Sequence, residues 1–247
     1  MTSSDTPIRA AGSQDRSFLA PRLVPSNVGR YIVRSAILRE VKAVSSALHG
    51  TLVDVGCGQM PYKEMLLAPP SRVRKYIGLD LQTTRYGSVQ PDLVWDGKTI
   101  PLEDESVDCV LLTEVLEHCP EPRIVLAEVY RVLRRPGLVF MTVPFLWPLH
   151  EVPFDEVRYT PFCLRRHFEQ AGFRSVELRA LGGWDASLAQ MIGLWAARRP
   201  LARWKRMIAT CVATPIIRLL LTFDKRPDEF KESTMLTGLV GTANKLL

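Results

Sequence analysis

The chain has 247 residues, with 32 Lys and Arg against 26 Asp and Glu, a formal charge of +6, and 47% hydrophobic and 8% aromatic content. With only 15 Gly and 18 Pro it is no disordered tail, collagen-like repeat or coiled coil, and it is long enough to bury a large core without staples. The mild basicity is compatible with phosphate-bearing ligands or an anionic membrane surface, and nucleic acid is not expected as a partner.

Residues 1–17 read as a flexible tail without the apolar stretch of a signal peptide, so a cytoplasmic location is expected. Cys57, Cys109, Cys119, Cys163 and Cys211 are odd in number and form no CxxC pair, which predicts free thiols. The rest, 18–247, reads as one domain. Its lead-in, 18–49, carries Ile32, Val33, Ala36, Ile37, Val41 and Val44 at helical spacing, which predicts a helix over a sheet edge. Arg22, Arg30, Arg34, Arg39 and Lys42 are expected on its solvated face.

From Thr51 short apolar runs alternate with turn signals and helices, the pattern of βα units and a parallel sheet. Strands are predicted at 52–55, 76–79, 93–95, 107–112, 138–143, 175–178 and 238–243. A helix is predicted at 122–134, with Pro122 in its first turn and Pro136-Gly137 ending it, and another at 160–172, stopped by Gly172. Residues 50–180 form the ligand-binding core. Before the last strand comes a helical insertion, 184–230, with the basic run Arg198, Arg199, Arg203, Lys205 and Arg206 and an apolar stretch from Met207 to Phe223. Pro215 and Arg218 interrupt that stretch, so it reads as too short and broken to span a bilayer. Residues 195–223 lying on a membrane surface, packing over the sheet and forming a homodimer contact all remain open for it.

The local motif with the most chemistry is Val53-Asp54-Val55-Gly56-Cys57-Gly58-Gln59-Met60-Pro61, a buried strand that ends in a glycine pair. Glycines there let a ligand approach the backbone, and a following helix N-terminus would add free N–H donors. Asp80 ends the second strand, where a carboxylate can receive ribose hydroxyls. A dinucleotide fingerprint needs a third glycine where this chain has Pro61, which leaves an NAD(P)-dependent oxidoreductase as a minor alternative. Asp54 before the loop is a poor neighbour for a pyrophosphate and a suitable one for an ammonium or sulfonium, the charges of S-adenosylmethionine.

With VDVGCGQ at 53–59, YIGLD at 76–80, VWDGKTIPLEDESVDCVLLTEVLEHCPEP at 94–122 and AEVYRVLRRPGLVFMTVP at 127–144, the chain resembles the class I S-adenosylmethionine-dependent methyltransferases of the type 11 kind. The resemblance covers residues 51–173 and the last strand. It implies an α/β, Rossmann-like, seven-stranded and mostly parallel sheet with an antiparallel last strand, and S-adenosylmethionine as cofactor. It implies Asp54, Gly56, Cys57 and Gly58 beside the methionine moiety, Asp80 and Leu81 at the ribose, and Asp96 and Gly97 at the adenine. Thr113, Glu114 and His118 would lie on the methionine side. Gln59, Met60 and Pro61 depart from the family's small residue after the glycine pair.

The acceptor should enter near the carboxyl ends of the strands, where His118 and His150 fall. His150 is the expected general base, with Glu151, Asp155, Arg158 and Tyr159 orienting the acceptor. A small molecule, a glycan or a lipid-linked molecule is the expected acceptor, methylated on a hydroxyl or amine. A non-catalytic cofactor-binding protein is the rival reading. No His and carboxylate cluster has metal-ligand spacing along the sequence, so no required metal is expected.

Overall fold

A computed structural model describes residues 18–81 and 89–246. The tail predicted at 1–17 lies outside the described residues. Seven strands form one sheet in the order β3-β2-β1-β4-β5-β7-β6. They are β1 (His49–Val55), β2 (Arg72–Leu81), β3 (Leu93–Trp95), β4 (Val107–Thr113), β5 (Leu133–Pro144), β6 (Arg174–Ala180) and β7 (Gly238–Lys245). Strands β1 to β5 pair in parallel, and β7 enters antiparallel between β5 and β6, as expected.

Side chains alternate across the central strands, so each strand feeds two cores. Leu52, Cys109, Leu111, Phe140 and Val240 face helix α1 (Val28–Val44), where Ala36, Ile37, Leu38 and Val41 close one core. Val53, Val55, Val110, Leu112, Val139 and Met141 face the opposite side, under helices α3 (Pro122–Val132) and α4 (Pro161–Gln170). Helix α1 therefore covers the middle of a sheet face and not an edge, because its apolar stripe meets β1, β4, β5 and β7 together.

Two predicted helix boundaries shift. The stretch after Val132 leaves α3 early, since Leu133 is extended, fully buried and paired with Val107 in the sheet. Strand pairing there outweighs the helical pattern that ran to Arg134. The helix after the glycine loop, α2 (Lys63–Leu66), is a single turn, so it supplies no long helix N-terminus to a ligand.

The insertion folds as α5 (Trp184–Arg198) and α6 (Arg203–Phe223). Ala189 and Ala196 of α5 meet Val28 and Ile32 of α1, and Ala213 and Ile217 of α6 close this third cluster. Contrary to expectation Pro215 does not break α6, which runs 21 residues and is long and apolar enough to cross a membrane by length and composition. Only 17% of its most apolar stretch is buried. Beneath these helices Glu40 of α1, 2% exposed, meets Arg39, Arg179 of β6 and Arg226 beyond α6. Burial alone would raise the Glu40 carboxyl, but the three guanidiniums outweigh it and hold it below the usual range. This knot ties the lead-in to the sheet and to the insertion.

A candidate cofactor and acceptor cleft

A cleft of about 640 Å³ opens at the carboxyl ends of β1 and β4. One wall is the glycine loop. Gly56 and Gly58 have φ of 68° and 51°, which only glycine adopts freely, and a Cβ on Gly56 would lie 2.6 Å from Val115. The amides of Gly56 and Cys57 both donate to the Leu79 carbonyl, and the Gly58 amide donates to Asp80 Oδ2 at 2.7 Å. Asp80 Oδ1 accepts from Leu81 N at 2.7 Å. Asp80 thus shapes the loop from the end of β2 and keeps spare lone pairs for a ligand. Where the family has a small residue, Met60 takes φ 50°, and its thioether fills the space above Gly78 that a Cβ would need.

Asp54 lines the cleft from beneath the loop and is 1% exposed. Its Oδ2 accepts from the Tyr76 hydroxyl, while Oδ1 is buried without a partner among the described residues. Burial pushes its carboxyl up to about 7, the Tyr76 bond opposing and the Asp80 charge adding to the rise. A buried carboxylate oxygen with no donor, set beside a glycine loop, fits the ammonium of a methionine moiety.

Across the cleft Thr113 ends β4, and Glu114 follows at φ 56°, a conformation non-glycine residues rarely take. Its amide donates to the Thr142 carbonyl, and the Thr142 hydroxyl donates to its carboxylate at 2.8 Å. Burial raises the Glu114 carboxyl to about 7. His118 and His150, with Glu151, complete this end, the two rings packing edge to face with centroids 4.8 Å apart. His150 Nδ1 lies 3.2 Å from Asp155 Oδ2, and His118 Nδ1 lies 2.9 Å from the Phe154 carbonyl. Both acceptors fix the tautomer: each Nδ1 carries the proton and each Nε2 keeps a lone pair. Burial lowers the His150 imidazole below its ordinary range despite the Asp155 charge, so it is neutral at pH 7.

Three expected acceptor-orienting residues do not face the cleft. Tyr159 is 1% exposed and donates its hydroxyl to the Leu116 carbonyl. Arg158 grips both oxygens of Asp155 at 2.6 and 2.7 Å, which holds that carboxyl well below the usual range. Asp155 in turn accepts from the backbone N–H of His150. Asp155 and Arg158 build the support for His150, Tyr159 anchors the turn at Leu116, and of the four only Glu151 lines the cleft. Asp96 is spent locally, accepting from the amides of Lys98 and Thr99 at 2.8 and 2.7 Å. Gly97, at φ 81°, completes that turn beside Leu81, which is 48% exposed.

Several lining residues carried no sequence signal. Arg30 and Arg34, four residues apart on α1 and expected on its solvated face, stand in the wall with Arg198 at the end of α5, which was read only as part of the insertion's basic run. The Arg34 guanidinium lies 4.0 Å over the Phe18 ring, and Arg198 faces the Trp147 ring at 5.9 Å. Tyr62 joins them, and Glu117, buried beside His118, completes with His118 and His150 a group whose donor atoms lie within 4.8 Å of one another.

Residues 53–141 match the methyltransferase-domain family. A protein in transposon Tn4556 of Streptomyces fradiae is 34% identical over 102 residues, 37% of this chain and 29% of that protein, so this chain spans under a third of the curated relative it matches. A methyltransferase of Archaeoglobus fulgidus shares the fold at a TM-score of 0.53 and 15% identity, covering 94% of this chain and 97% of that one. Phosphoethanolamine N-methyltransferase 2 of Haemonchus contortus, in complex with phosphomonomethylethanolamine and S-adenosylhomocysteine, gives 0.54 at 12% identity over 96% of this chain and 61% of that one.

Proposed function

We propose that the chain, whose residues 53–141 match the methyltransferase-domain family, uses S-adenosylmethionine to methylate a hydroxyl or amine of an anionic small-molecule, glycan or lipid-linked acceptor. The observation that carries this reading is the layout of the cleft. Asp54 Oδ1, unpartnered among the described residues, and the glycine loop stand at one end, His118 and His150 at the other, and Arg30, Arg34 and Arg198 in the wall.

Asp54, Gly56, Gly58 and Asp80 are the residues that would hold the cofactor, with Thr113 and Glu114 closing the opposite wall. When bound, it supplies an electrophilic methyl group on a sulfonium. The remaining work falls to the chain. The arginines hold the acceptor's anionic group, and the walls align its nucleophile within about 3–3.5 Å of the methyl, a positioning effect that supplies much of the rate. His150 Nε2 accepts the proton from an acceptor hydroxyl as attack proceeds, a contribution of about 10²–10⁴-fold. Asp155, clamped by Arg158, aims the ring and steadies the imidazolium that forms.

The insertion supports an acceptor presented at a membrane surface. Trp195, Trp204, Met207, Val212, Leu219 and Phe223 are all more than half exposed, and Arg199, Arg203, Lys205 and Arg206 flank them. Arg198 in the cleft wall leads directly into this run. Because Thr210, Ala213 and Ile217 bury the other face of α6, the helix is read as lying in the interface with its basic start at the headgroups. On this reading the protein is cytoplasmic and peripheral to the membrane. Co-sedimentation with phosphatidylglycerol and phosphatidylcholine vesicles checks it. Pelleting with the anionic vesicles and release by carbonate are expected, and full recovery in the supernatant with both refutes it.

The acceptor is tested by measuring S-adenosylhomocysteine formation with sugar phosphates, polyprenyl-phosphate sugars and their neutral isosteres. Turnover should favour the anionic members, and Arg30→Ala or Arg198→Ala should raise KM while leaving kcat largely intact. Equal turnover of neutral isosteres refutes the acceptor class. Cofactor binding without turnover of any acceptor favours a non-catalytic cofactor-binding role.

A further inference from the structure

Glu117 belongs to the single 3₁₀ turn Leu116–His118 that follows β4. Its side chain is fully buried, and among the described residues neither carboxylate oxygen has a hydrogen-bond partner. A buried carboxylate left so is unfavourable unless a cation pairs with it or a proton neutralises it. The backbone explains why it cannot turn away. The Glu117 carbonyl accepts from the amides of Glu156 and Val157 at 2.9 and 3.2 Å, pinning the turn against the segment that carries His150 and Asp155.

Beside this carboxylate stand two imidazoles whose free lone pairs are already set. His118 Nε2 lies 3.8 Å from Glu117 Oε1, and Glu117, His118 and His150 each offer one donor atom within 4.8 Å of the others. The Nδ1 atoms are engaged by the Phe154 carbonyl and the Asp155 carboxylate, the outer-shell arrangement that orients metal-binding histidines. Charge favours a cation as well. Glu114, Glu117 and Asp155 surround this spot, and Arg158 is the cation acting on all three.

We propose that Glu117, His118 and His150 form a binding site for one divalent transition-metal ion at the acceptor end of the cleft. Two imidazoles and one carboxylate suit zinc, cobalt, iron or manganese over magnesium or calcium, which take all-oxygen shells. Ligand atoms around tetrahedral zinc sit roughly 3.3 Å apart, so no pair of donor atoms need approach by more than about 1.5 Å on binding. His118 and His150 line the cleft, which leaves the remaining coordination positions facing the acceptor. Such an ion would act as a Lewis acid toward an acceptor hydroxyl, whose proton would pass to solvent, and His150 would then serve as a ligand and not as the base. Loaded and metal-free protein therefore activate the acceptor differently, and the site itself stands whether or not the methyl-transfer reading holds.

The test is titration of the chelator-treated chain with zinc chloride, cobalt chloride and magnesium chloride, read by calorimetry, by cobalt visible absorption and by Tm. One zinc or cobalt ion per chain is expected, with no thiolate-to-cobalt charge transfer, a raised Tm and no response to magnesium. Glu117→Gln, His118→Ala and His150→Ala should lose that binding, and Asp155→Asn should weaken it by about 10–100-fold. Circular dichroism confirms that each variant is folded. Wild-type protein that binds neither zinc nor cobalt overturns the proposal, as does binding unchanged by Glu117→Gln together with His118→Ala, and as does a thiolate signature.

Discussion

Lowering the pH should weaken cofactor binding, and the size of the effect follows from one carboxyl. Asp54 titrates near 7 because it is buried with a single donor, Tyr76, and faces the charge of Asp80. An ammonium pairs only with its ionised form. A group of that pKa is about 90% ionised at pH 8 and about 10% at pH 6, so affinity for S-adenosylhomocysteine should fall about tenfold, or ~1.4 kcal/mol. Binding should release close to one proton at pH 6 and almost none at pH 8, which calorimetry in buffers of different ionisation enthalpy measures directly. Asp54→Asn should bind weakly and flatten the pH dependence, which separates Asp54 from Glu114, the other cleft carboxyl near 7. The sign for folding is opposite. A carboxyl raised in the native state binds more protons there than in the unfolded chain, so its destabilising effect grows as pH rises from about 4 to 7, and Asp54→Asn should raise Tm at pH 8. A wild-type affinity constant between pH 6 and 8, with no proton exchanged, would refute the placement of the ammonium on Asp54.

Other consequences are equally direct. In metal-free protein Asp155→Ala frees the His150 ring and leaves Arg158 uncompensated, so kcat should drop about 10²-fold or more with KM little changed, and unchanged kcat would deny the positioning role. With S-adenosylmethionine saturating at every pH, the acid limb of kcat/KM for the acceptor should fall below pH ~6.5, since burial lowers His150, and a limb above pH 7 would contradict its assignment as base. Arg131 ties α3 to the loop before β4 through Glu128, Asp104 and the carbonyls of Ile100 and Leu102. Arg131→Met should cost about 2–3 kcal/mol in urea unfolding, and a loss under about 0.5 would show the network to be incidental.

Much of the fold and part of the site could be read from the chain, for physical reasons that differ by residue. The strands are legible as short apolar runs, a local pattern, through Leu52, Val53, Leu111, Leu112, Phe140 and Met141, whereas their number and the antiparallel last strand follow from the family resemblance. Gly56, Gly58 and Asp80 lie within one βα unit, so spacing alone brings them together. Which way a side chain points is not a local property. Asp155, Arg158 and Tyr159 have the residue types of a substrate pocket, yet a bidentate ion pair and the Leu116 carbonyl turn them away from it. Asp96 kept its turn-forming bonds to Lys98 and Thr99, an outcome that composition could equally have supported. Arg30 and Arg198 meet only because α5 packs on α1, and Glu117 meets His150 only because its carbonyl anchors the segment after β5. The persistence of α6 through Pro215 is also a tertiary outcome, fixed by Ala213 and Ile217 against α1 and α5.

The most direct test of the central claim is calorimetric titration of the purified chain with S-adenosylhomocysteine, with NADH as comparator and Asp80→Ala as control. S-adenosylhomocysteine should bind one to one, NADH should not, and Asp80→Ala should weaken the affinity by about 1–3 kcal/mol. Wild-type protein that ignores S-adenosylhomocysteine, or that prefers NADH, would contradict the account.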